Sequence, residues 1–90
     1  MKFEWDIRKA AANFTKHRVA FEEAATAVRD DFAATVRDPD HSVGEHRFIT
    51  FGKSSAGRLL MVSHTERGDT IRIISTRLAT RGERKFYEES

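Results

Sequence analysis

The sequence predicts an α+β domain in which helices pack on an antiparallel β-sheet. Three observations support this prediction. Apolar residues recur with the 3.6-residue period of helices in the first third of the chain, and with a period of two after residue 46. Turn-forming residues separate three strand-like segments in that later part. The length, 90 residues and 10.3 kDa, suits one such domain spanning residues 1–90 and is too short for a large two-domain enzyme with a cofactor cleft.

Composition limits the classes of protein to which this chain can belong. Apolar residues make up 39% and charged residues 33% of the chain, with seven Phe, one Trp and one Tyr, which is too apolar for a disordered protein. No cysteine is present, so disulfide scaffolds, thiol nucleophiles and cysteine-based metal sites are excluded. No apolar run reaches the roughly 20 residues of a membrane span, and the start lacks the apolar core of a signal peptide. We therefore expect a soluble, cytoplasmic protein.

The first third of the chain predicts a short edge strand and two helices. Residues 1–5 alternate weakly, and the carboxylate of Asp6 fits a helix N-cap. Residues 7–17 and 21–29 each carry apolar residues at i, i+3, i+4 and i+7, the stripe of an amphipathic helix. Because a tight turn joins them, an antiparallel helical hairpin is expected. The residues of this part of the chain that are expected in the protein core include Trp5, Ile7, Ala10, Ala11, Phe14, Phe21, Ala24, Ala25 and Val28.

The rest of the chain predicts strands and a final helix. Residues 32–36 fit a short strand, and 37–44 fit a loop built around the one proline. Three period-two segments then predict an antiparallel meander. These segments are 46–53, 58–65 and 70–77, with turns at 54–57 and 66–69. Thr80 and Glu83 fit a capping box that opens a short C-terminal helix through Tyr87. All helices are expected on one face of the sheet, and turns or bulges at Gly52, Gly57 and Gly68.

Positive charge is concentrated in the second half of the chain. The formal net charge is +2, but residues 1–45 hold seven Lys/Arg against nine Asp/Glu, and residues 46–90 hold nine against five. Arginine accounts for eleven of the 16 cationic residues, and its planar guanidinium suits phosphate oxygens. This distribution favours a nucleic acid or an acidic protein as partner. An ordinary solvated surface is the alternative.

Alternation along the predicted strands sorts their side chains onto two faces of the sheet. Strict alternation places His64 on the same face as Leu60 and Val62 in the second strand of the meander. In the third strand it places Arg72 and Arg77 on opposite faces.

A sheet face with several arginines and a histidine fits RNA cleavage without a metal ion. Such cleavage needs a base for the ribose 2′-OH, a cation for the phosphate and an acid for the leaving 5′-oxygen. His64 is a candidate acid or base, because the ordinary pKa of histidine lies near 6.5. Arg67, Arg72 and Arg77 are candidate cations. The alternative is a sheet with ordinary surface charges.

Metal chemistry is not predicted. The four histidines lack the spacing of a metal-binding motif, and the acidic clusters fit solvated loops better than a magnesium site. We expect neither a metal nor a cofactor.

Residues along nearly the whole chain resemble one known family. The N-terminal part reads Phe3-x-Trp5-Asp6-x-x-Lys9-x-x-x-Asn13-x-x-Lys16-His17-x-Val19-x-Phe21-x-Glu23-Ala24. The second half reads Arg47-Phe48-Ile49-Thr50-x-Gly52-x-Ser54, Gly57-Arg58-x-Leu60, Thr65-Glu66-Arg67-Gly68 and Arg72-Ile73-Ile74-Ser75-x-Arg77-x-Ala79-Thr80, ending at Glu83-Arg84-x-x-Tyr87. No single motif is diagnostic, but the set resembles the BrnT toxins.

The resemblance implies a fold and a function. BrnT proteins are toxins of type II toxin–antitoxin systems, with a RelE-like fold, that cleave RNA without a metal and thereby inhibit translation. A BrnA-like ribbon-helix-helix antitoxin would neutralise the toxin. Because that antitoxin dimerises and represses its own promoter, the complex would contact DNA through the antitoxin.

The resemblance also suggests roles for individual residues. Arg77 is the best candidate for a functional cation. His64 stands where relatives often carry tyrosine, which could still donate a hydrogen bond or stack on a base. His46 stands where many relatives carry an acid, so Glu45 or His46 would replace that acid if it were the base. The candidate catalytic residues are Arg77, His64, Arg67, Arg47 and Glu45, and the candidate RNA contacts are Lys53, Arg58, Arg72, Arg81 and Arg84.

A second function, from a different class, remains open at this point. The sequence contains no decisive catalytic group, so the chain could instead be a non-catalytic module. Such a module would bind a DNA-binding antitoxin and act only as co-repressor of the operon.

Overall fold

The structure, a computed structural model, describes residues 1–41 and 46–90, without the side chain of His41. Its element order agrees with the predicted order of a strand, two helices, several strands and a helix. The elements are β1 (Lys2–Glu4), α1 (Ile7–His17), α2 (Phe21–Val28), β2 (Ala34–Arg37), a 3₁₀ turn (Pro39–His41), β3 (Arg47–Lys53), β4 (Leu59–Arg67), β5 (Thr70–Leu78) and α3 (Arg81–Glu89).

The five strands form one sheet in the order β1-β5-β4-β3-β2. Strands β2 to β5 pair antiparallel, which confirms the predicted meander. The prediction of a purely antiparallel sheet is wrong, because β1 runs parallel to β5. A parallel pair needs a long connection between its strands, and here all of the intervening helices and strands provide it.

The helices occupy both faces of the sheet, so the prediction of a single helical face is wrong. Helix α1 packs on β5, and α2 packs across β3, β4 and β5. We call the face that they cover the helix face. Helix α3 instead folds back over the opposite face, where the Phe86 ring meets the Phe51 ring edge-on at 5.6 Å between centroids. On the helix face the buried core consists of Val19, Phe21, Ala24, Ala27, Leu60, Val62 and Ile73.

The predicted apolar stripe of α1 faces the core only at Ala10, which packs against it. Ile7 is 80% exposed and Phe14 is 46% exposed, whereas Asn13 is the buried residue of this helix. Trp5 does pack in the core, as predicted, with its ring edge-on to Phe21 at 6.0 Å. The orientation of helix α1 therefore follows a buried polar side chain more than its predicted apolar stripe.

Asn13 explains that orientation through three hydrogen bonds. Its Nδ2 donates to the carbonyl oxygens of Val19, at 3.1 Å, and Thr76, at 2.9 Å. Its Oδ1 accepts from the backbone N–H of Thr76 at 3.1 Å. Strand β1 pairs with β5 only at residues 70–72, so β5 lacks a strand neighbour on that edge at Thr76. The Asn13 amide therefore satisfies backbone groups that a longer β1 would otherwise have bonded.

Helix α2 approaches β3 very closely at Gly52. A Cβ atom on this glycine would lie 2.1 Å from the carbonyl oxygen of Ala27. The predicted role of Gly52 in a turn or bulge is therefore wrong, since it lies within β3 and permits close helix–sheet contact. Gly57 and Gly68 do lie at turns, with φ of 82° and 58°.

Local capping signals account for the ends of the helices. The Asp6 carboxylate accepts from the N–H groups of Arg8 and Lys9, as predicted for an N-cap. Arg18 ends α1 in the left-handed conformation, with φ of 58°. Non-glycine residues adopt this conformation at a cost of about 1 kcal/mol. The predicted capping box of Thr80 and Glu83 is confirmed.

Several predicted boundaries change, and helix α3 ends at Glu89 instead of Tyr87. Strand β4 continues to Arg67, so the turn before β5 contains only Gly68 and Asp69. Strand β2 begins at Ala34 instead of Phe32. The second part of the predicted 37–44 loop, from Ser42 onward, lies outside the described residues.

Replacement of Asn13 by alanine is expected to destabilise the protein by about 3 kcal/mol, because it leaves buried backbone groups of β5 and the α1–α2 connection without partners. Phe14→Ala, one position along the same helix, should cost less, about 1 kcal/mol, because nearly half of Phe14 is exposed and it lies outside the buried core. Urea unfolding at pH 7 measures both values. Equal losses in the two variants would contradict the proposed role of Asn13.

Candidate nucleic-acid interface

A β-bulge in β5 decides which side chains share a face of the sheet. Ser63 of β4 pairs with Ser75, but the next residue, His64, pairs with Ile73. Ile74 is therefore an extra residue in β5, and side-chain alternation shifts by one position there. The strict alternation predicted for this strand is wrong after Ile73, because the bulge places Arg77 on the same face as Arg72.

The strand register defines the face opposite α1 and α2, which we call the outer face. Residues directly paired across strands point to the same side of a sheet. One row runs through Arg47, Thr65 and Arg72, the next through Ile49, Ser63 and Ser75, and a third through Phe51, Met61 and Arg77. Arg67, at the end of β4, lies one further row out. Neighbouring rows are about 7 Å apart along the strands.

The charged side chains of the outer face are predominantly basic. This face carries Arg47, Arg67, Arg72 and Arg77, and two carboxylates pair with them. Glu4 of β1 accepts from Arg72 at 2.8 Å, and Glu83 of α3 binds Arg77. Within residues 1–41 and 46–90, no carboxylate pairs with Arg47 or Arg67. The bulge thus places Arg77 on the same face as the other three candidate cations, Arg47, Arg67 and Arg72.

Arg77 and Glu83 form a bidentate ion pair on the outer face, whereas Arg72 and Glu4 share one hydrogen bond. Glu83 accepts from Nη1 of Arg77 at 2.8 Å and from Nη2 at 3.0 Å. These hydrogen bonds raise the pKa of Arg77 and lower the pKa of Glu83, while partial burial of each side chain opposes the shift. Both groups are therefore charged at neutral pH, and 34% of the Arg77 side chain remains exposed.

His64 lies on the helix face, with its side chain only 1% exposed. As predicted, it shares that face with Leu60 and Val62, but this row is covered by the helices. Its Nε2 lies 2.7 Å from the hydroxyl of Thr50, and its Nδ1 has no hydrogen-bond partner in the described residues. Burial lowers the pKa of His64 to about 4, so its ring is neutral at pH 7. The structure does not bring His64 together with Arg77.

Arg58 is held on the side of α2, away from the outer face. Its Nη2 donates to one oxygen of Glu23 at 2.5 Å, and its Nε donates to the other oxygen at 2.9 Å. The Ser54 hydroxyl donates to the same carboxylate at 2.7 Å, and a further Nη2 bond reaches the carbonyl of Arg18. These bonds tie the β3–β4 turn to α2. The hydrogen bond from Arg58 is the main cause that lowers the pKa of Glu23.

The remaining candidates are dispersed. Lys53 ends β3 and is exposed, and Arg81 and Arg84 are exposed on α3, the helix that carries Glu83. Glu45 lies outside the described residues. His46 is exposed beside the guanidinium of Arg37, which contacts its Nδ1.

Sequence reasoning missed Glu83 as a partner of Arg77, since it identified this residue only as part of a capping box. A carboxylate six positions from a candidate catalytic arginine was a usable signal.

Sequence reasoning also missed the anchoring of α3 by Asp30. Burial alone would raise the pKa of Asp30, but hydrogen bonds from the Lys53 N–H, the Tyr87 hydroxyl and the Phe32 N–H together lower it. The Tyr87 bond, 2.5 Å long, raises the pKa of Tyr87 to about 12.

Two further features bear on function. Across the described part of the chain, no group of three or more His, Asp or Glu residues is placed to hold a metal ion. None of the described helices has the length and apolar character needed to cross a bilayer.

Comparisons with known proteins identify the family. A family model described as "Ribonuclease toxin, BrnT, of type II toxin-antitoxin system" matches residues 5–83. The chain belongs to the BrnT family. It is therefore a ribonuclease toxin of the type II toxin–antitoxin class, and this class implies an RNA target and an antitoxin partner. A comparison with curated protein sequences found no match.

A solved structure supports the same fold. The crystal structure of the ribonuclease toxin BrnT of Brucella abortus, at 1.1 Å resolution, is 21% identical in sequence and superimposes with a TM-score of 0.65. The match covers 90% of this chain and 99% of that chain. The mixed α+β architecture of five strands and three helices is thus similar to that of BrnT.

The burial of His64 generates a pH prediction. Its folded-state pKa, about 4, lies below the ordinary value of 6.5, so the unfolded chain binds the proton more readily. The stability of the wild type should therefore be complete above pH 6.5 and fall, by up to about 3 kcal/mol, as the pH drops towards 4.

Urea unfolding at pH 7.5 and pH 5 should show about 2 kcal/mol of this loss, and His64→Gln is the control because glutamine does not titrate. The pH dependence should be flatter in this variant. The same pH dependence in both proteins would show that His64 is not buried as a neutral ring.

Proposed function

We propose that this BrnT-family toxin is a metal-independent endoribonuclease that binds RNA on the outer face and inhibits translation in the cytoplasm. The observation that carries the proposal is the placement of Arg47, Arg67, Arg72 and Arg77 on one side of the sheet. Hydroxyl groups of Ser63 and Ser75 lie between them in the register and offer uncharged hydrogen-bonding partners to the sugar–phosphate backbone.

The proposed reaction is an internal transesterification. The ribose 2′-oxygen forms a bond to phosphorus, the bond from phosphorus to the 5′-oxygen breaks, and a 2′,3′-cyclic phosphate and a 5′-OH remain. One proton leaves the 2′-OH and one reaches the departing 5′-oxygen, so no metal or external oxidant is needed. Negative charge builds up on the phosphate during this step. Arg77 is the group proposed to stabilise that charge.

Arg47, Arg67 and Arg72 are proposed to hold the RNA strand on either side of the reacting phosphate. Arg47 and Arg72 share one row, about 14 Å along β4 from the row of Arg77, which corresponds to four residues of a strand. This spacing fits contacts with different phosphates of one strand. Lys53, Arg81 and Arg84 border this surface and would add non-specific electrostatic attraction.

His64 is not proposed as a group that touches RNA. It lies on the helix face, and its low pKa leaves it uncharged at pH 7. Its proposed role is to support β3 and β4 through Thr50 and through the Phe48 ring, which stacks on it at 6.0 Å between centroids. Glu45 stays a candidate base from the family resemblance.

The partner proposed for this toxin is a BrnA-like ribbon-helix-helix antitoxin. Type II antitoxins are proteins, and covering the basic outer face would be the most direct way to exclude RNA. The complex would then contact DNA only through the antitoxin. The fold is proposed to be of the RelE-like kind within the α+β class, because α1 and α2 cover one face of the sheet and the part of the opposite face that α3 leaves uncovered is available to RNA.

Cleavage of a labelled single-stranded RNA in EDTA tests the activity. Wild-type protein is expected to cut the RNA and to leave 5′-OH ends. Arg77→Ala should lower the rate by at least about 100-fold, the magnitude typical of a lost transition-state cation or donor. Arg8→Ala is the matched control, because Arg8 is an exposed arginine on α1, away from the outer face.

Each outcome has a distinct meaning. An equal loss in the Arg8 and Arg77 variants would contradict a specific role for Arg77. If the wild type does not cut RNA, with or without added ribosomes, but binds its antitoxin tightly, the protein acts as a co-repressor module and the nuclease proposal fails.

A further inference from the structure

We propose that Glu83 is a positioning residue that holds one edge of the Arg77 guanidinium and thereby leaves the other edge as a bidentate binding site for an RNA phosphate. This inference rests on the proposed function and adds a role for a side chain on α3. It follows from which nitrogen atoms of Arg77 are already bonded and which are not.

A guanidinium has five N–H groups in a fixed plane, arranged as two pairs and one single group. Nη1 and Nη2 together form the end edge, and Nε and Nη2 form the side edge. In Arg77, Glu83 binds the end edge, with hydrogen bonds from Nη1 and Nη2. Nη1 also donates to the carbonyl oxygen of Leu78 at 3.2 Å. The side edge, Nε–H with the second Nη2–H, has no partner among the described residues.

The unoccupied edge has the geometry of a phosphate site. Two parallel N–H groups of one arginine match two oxygens of a phosphate or carboxylate. About a third of the Arg77 side chain is exposed, on the outer face beside Met61. An arginine held by its end edge therefore keeps a bidentate donor pair available for one phosphodiester group.

A comparison within the chain supports this assignment. Arg58 is also bonded to a glutamate, but Glu23 occupies its side edge through Nε and Nη2. The second bond of Nη2 reaches the carbonyl of Arg18. Arg58 thus has no bidentate side edge left for a phosphate. These two bidentate arginine–glutamate pairs differ in the edge that is used, and of the two only Arg77–Glu83 leaves the side edge open. In the third pair among the described residues, Glu4 accepts a single bond from Nη1 of Arg72 and does not hold either edge of that guanidinium by two bonds.

Glu83 is itself fixed by the start of α3. One of its carboxylate oxygens accepts from the N–H of Thr80 at 2.9 Å, and the Thr80 hydroxyl accepts from the N–H of Glu83 at 3.2 Å. The helix is anchored to the sheet by Phe86 on Phe51, and to the loop after α2 by Tyr87 on Asp30. Both carboxylate oxygens are thus bonded, which suits a fixed support better than a base that must accept a proton from the ribose.

The proposal predicts effects of opposite sign on binding and turnover. Glu83 brings a negative charge close to the phosphate site, so its removal should strengthen RNA binding. Its removal also lets the Arg77 side chain rotate, so the transition state should be stabilised less well. A residue that only stabilises the fold would not tighten binding while slowing the reaction.

The test compares Glu83→Gln with two controls, in single-turnover cleavage and in binding of a non-cleavable 2′-deoxy oligonucleotide. Thr80→Ala weakens the cap of α3 but leaves the Arg77 partner in place. Glu23→Gln removes an equal charge from the Arg58 pair on the other side of the sheet. In Glu83→Gln we expect cleavage to be slower by at least about tenfold and binding to be tighter by about two- to fivefold. In both controls, each quantity should stay within about threefold of the wild type.

Two results would overturn the proposal. One is slow cleavage in Thr80→Ala equal to that in Glu83→Gln, which would show that Glu83 acts only through the stability of α3. The other is unchanged cleavage in Glu83→Gln.

A second readout separates this proposal from the proposed nuclease activity. The Nε–H resonance of Arg77, assigned by its loss in Arg77→Lys, is followed by NMR while the 2′-deoxy oligonucleotide is added. A shift in the wild type that is weaker in Glu83→Gln supports the phosphate site even if the wild type cuts no RNA. Cleavage by the wild type without any shift at Arg77 Nε–H would leave the nuclease proposal intact and refute the positioning role.

Discussion

The packing of α1 on the sheet depends on the contact between the Asn13 amide and the edge of β5. Strand β1 is only three residues long and leaves Thr76 without a strand neighbour. Asn13 bonds both the N–H and the carbonyl of Thr76 and so fixes α1 against β5 just beyond the bulge. Arg77 follows Thr76 and lies on the outer face through its pairing with Met61. The same short segment of β5 therefore anchors a helix and carries the proposed catalytic cation.

The sequence predicted most elements because their signals are local. Capping residues such as Asp6 and the Thr80–Glu83 pair act over three or four positions, and the period-two pattern of the meander does not depend on the rest of the fold. The orientation of α1 could not be predicted in this way. Periodicity counts apolar side chains, whereas the contact that decided the orientation is a hydrogen bond from an asparagine to a strand distant in sequence. An asparagine in a helix interior is intrinsically unfavourable, and this was the available signal.

The candidate site was predictable in residue type but not in arrangement. Arginine was correctly expected on the sheet, yet alternation separated Arg72 from Arg77 because nothing in the Ile73–Thr76 segment, which lacks glycine and proline, marks a bulge. Alternation correctly predicted that His64 shares a face with Leu60 and Val62. It could not predict that the helices cover this face, because that depends on how the chain folds back over the sheet. The same limitation applies to Glu83, since its contact with Arg77 exists only when α3 crosses to the outer face.

The two bidentate arginine–glutamate pairs, Arg58–Glu23 and Arg77–Glu83, show why ion pairing alone does not reveal function. A partly exposed pair contributes at most about 1 kcal/mol to stability, so neither pair is needed for its energy alone. Glu23 and Arg58 join α2 to the β3–β4 turn with the full set of donors on one edge, which suits a structural connection. Glu83 instead binds the end edge of Arg77, through Nη1 and Nη2. The planar donor pair of the side edge, Nε–H and the second Nη2–H, stays unused. A cation that must meet a phosphate needs both a fixed orientation and unsatisfied donors, and of these two pairs only Glu83–Arg77 provides both.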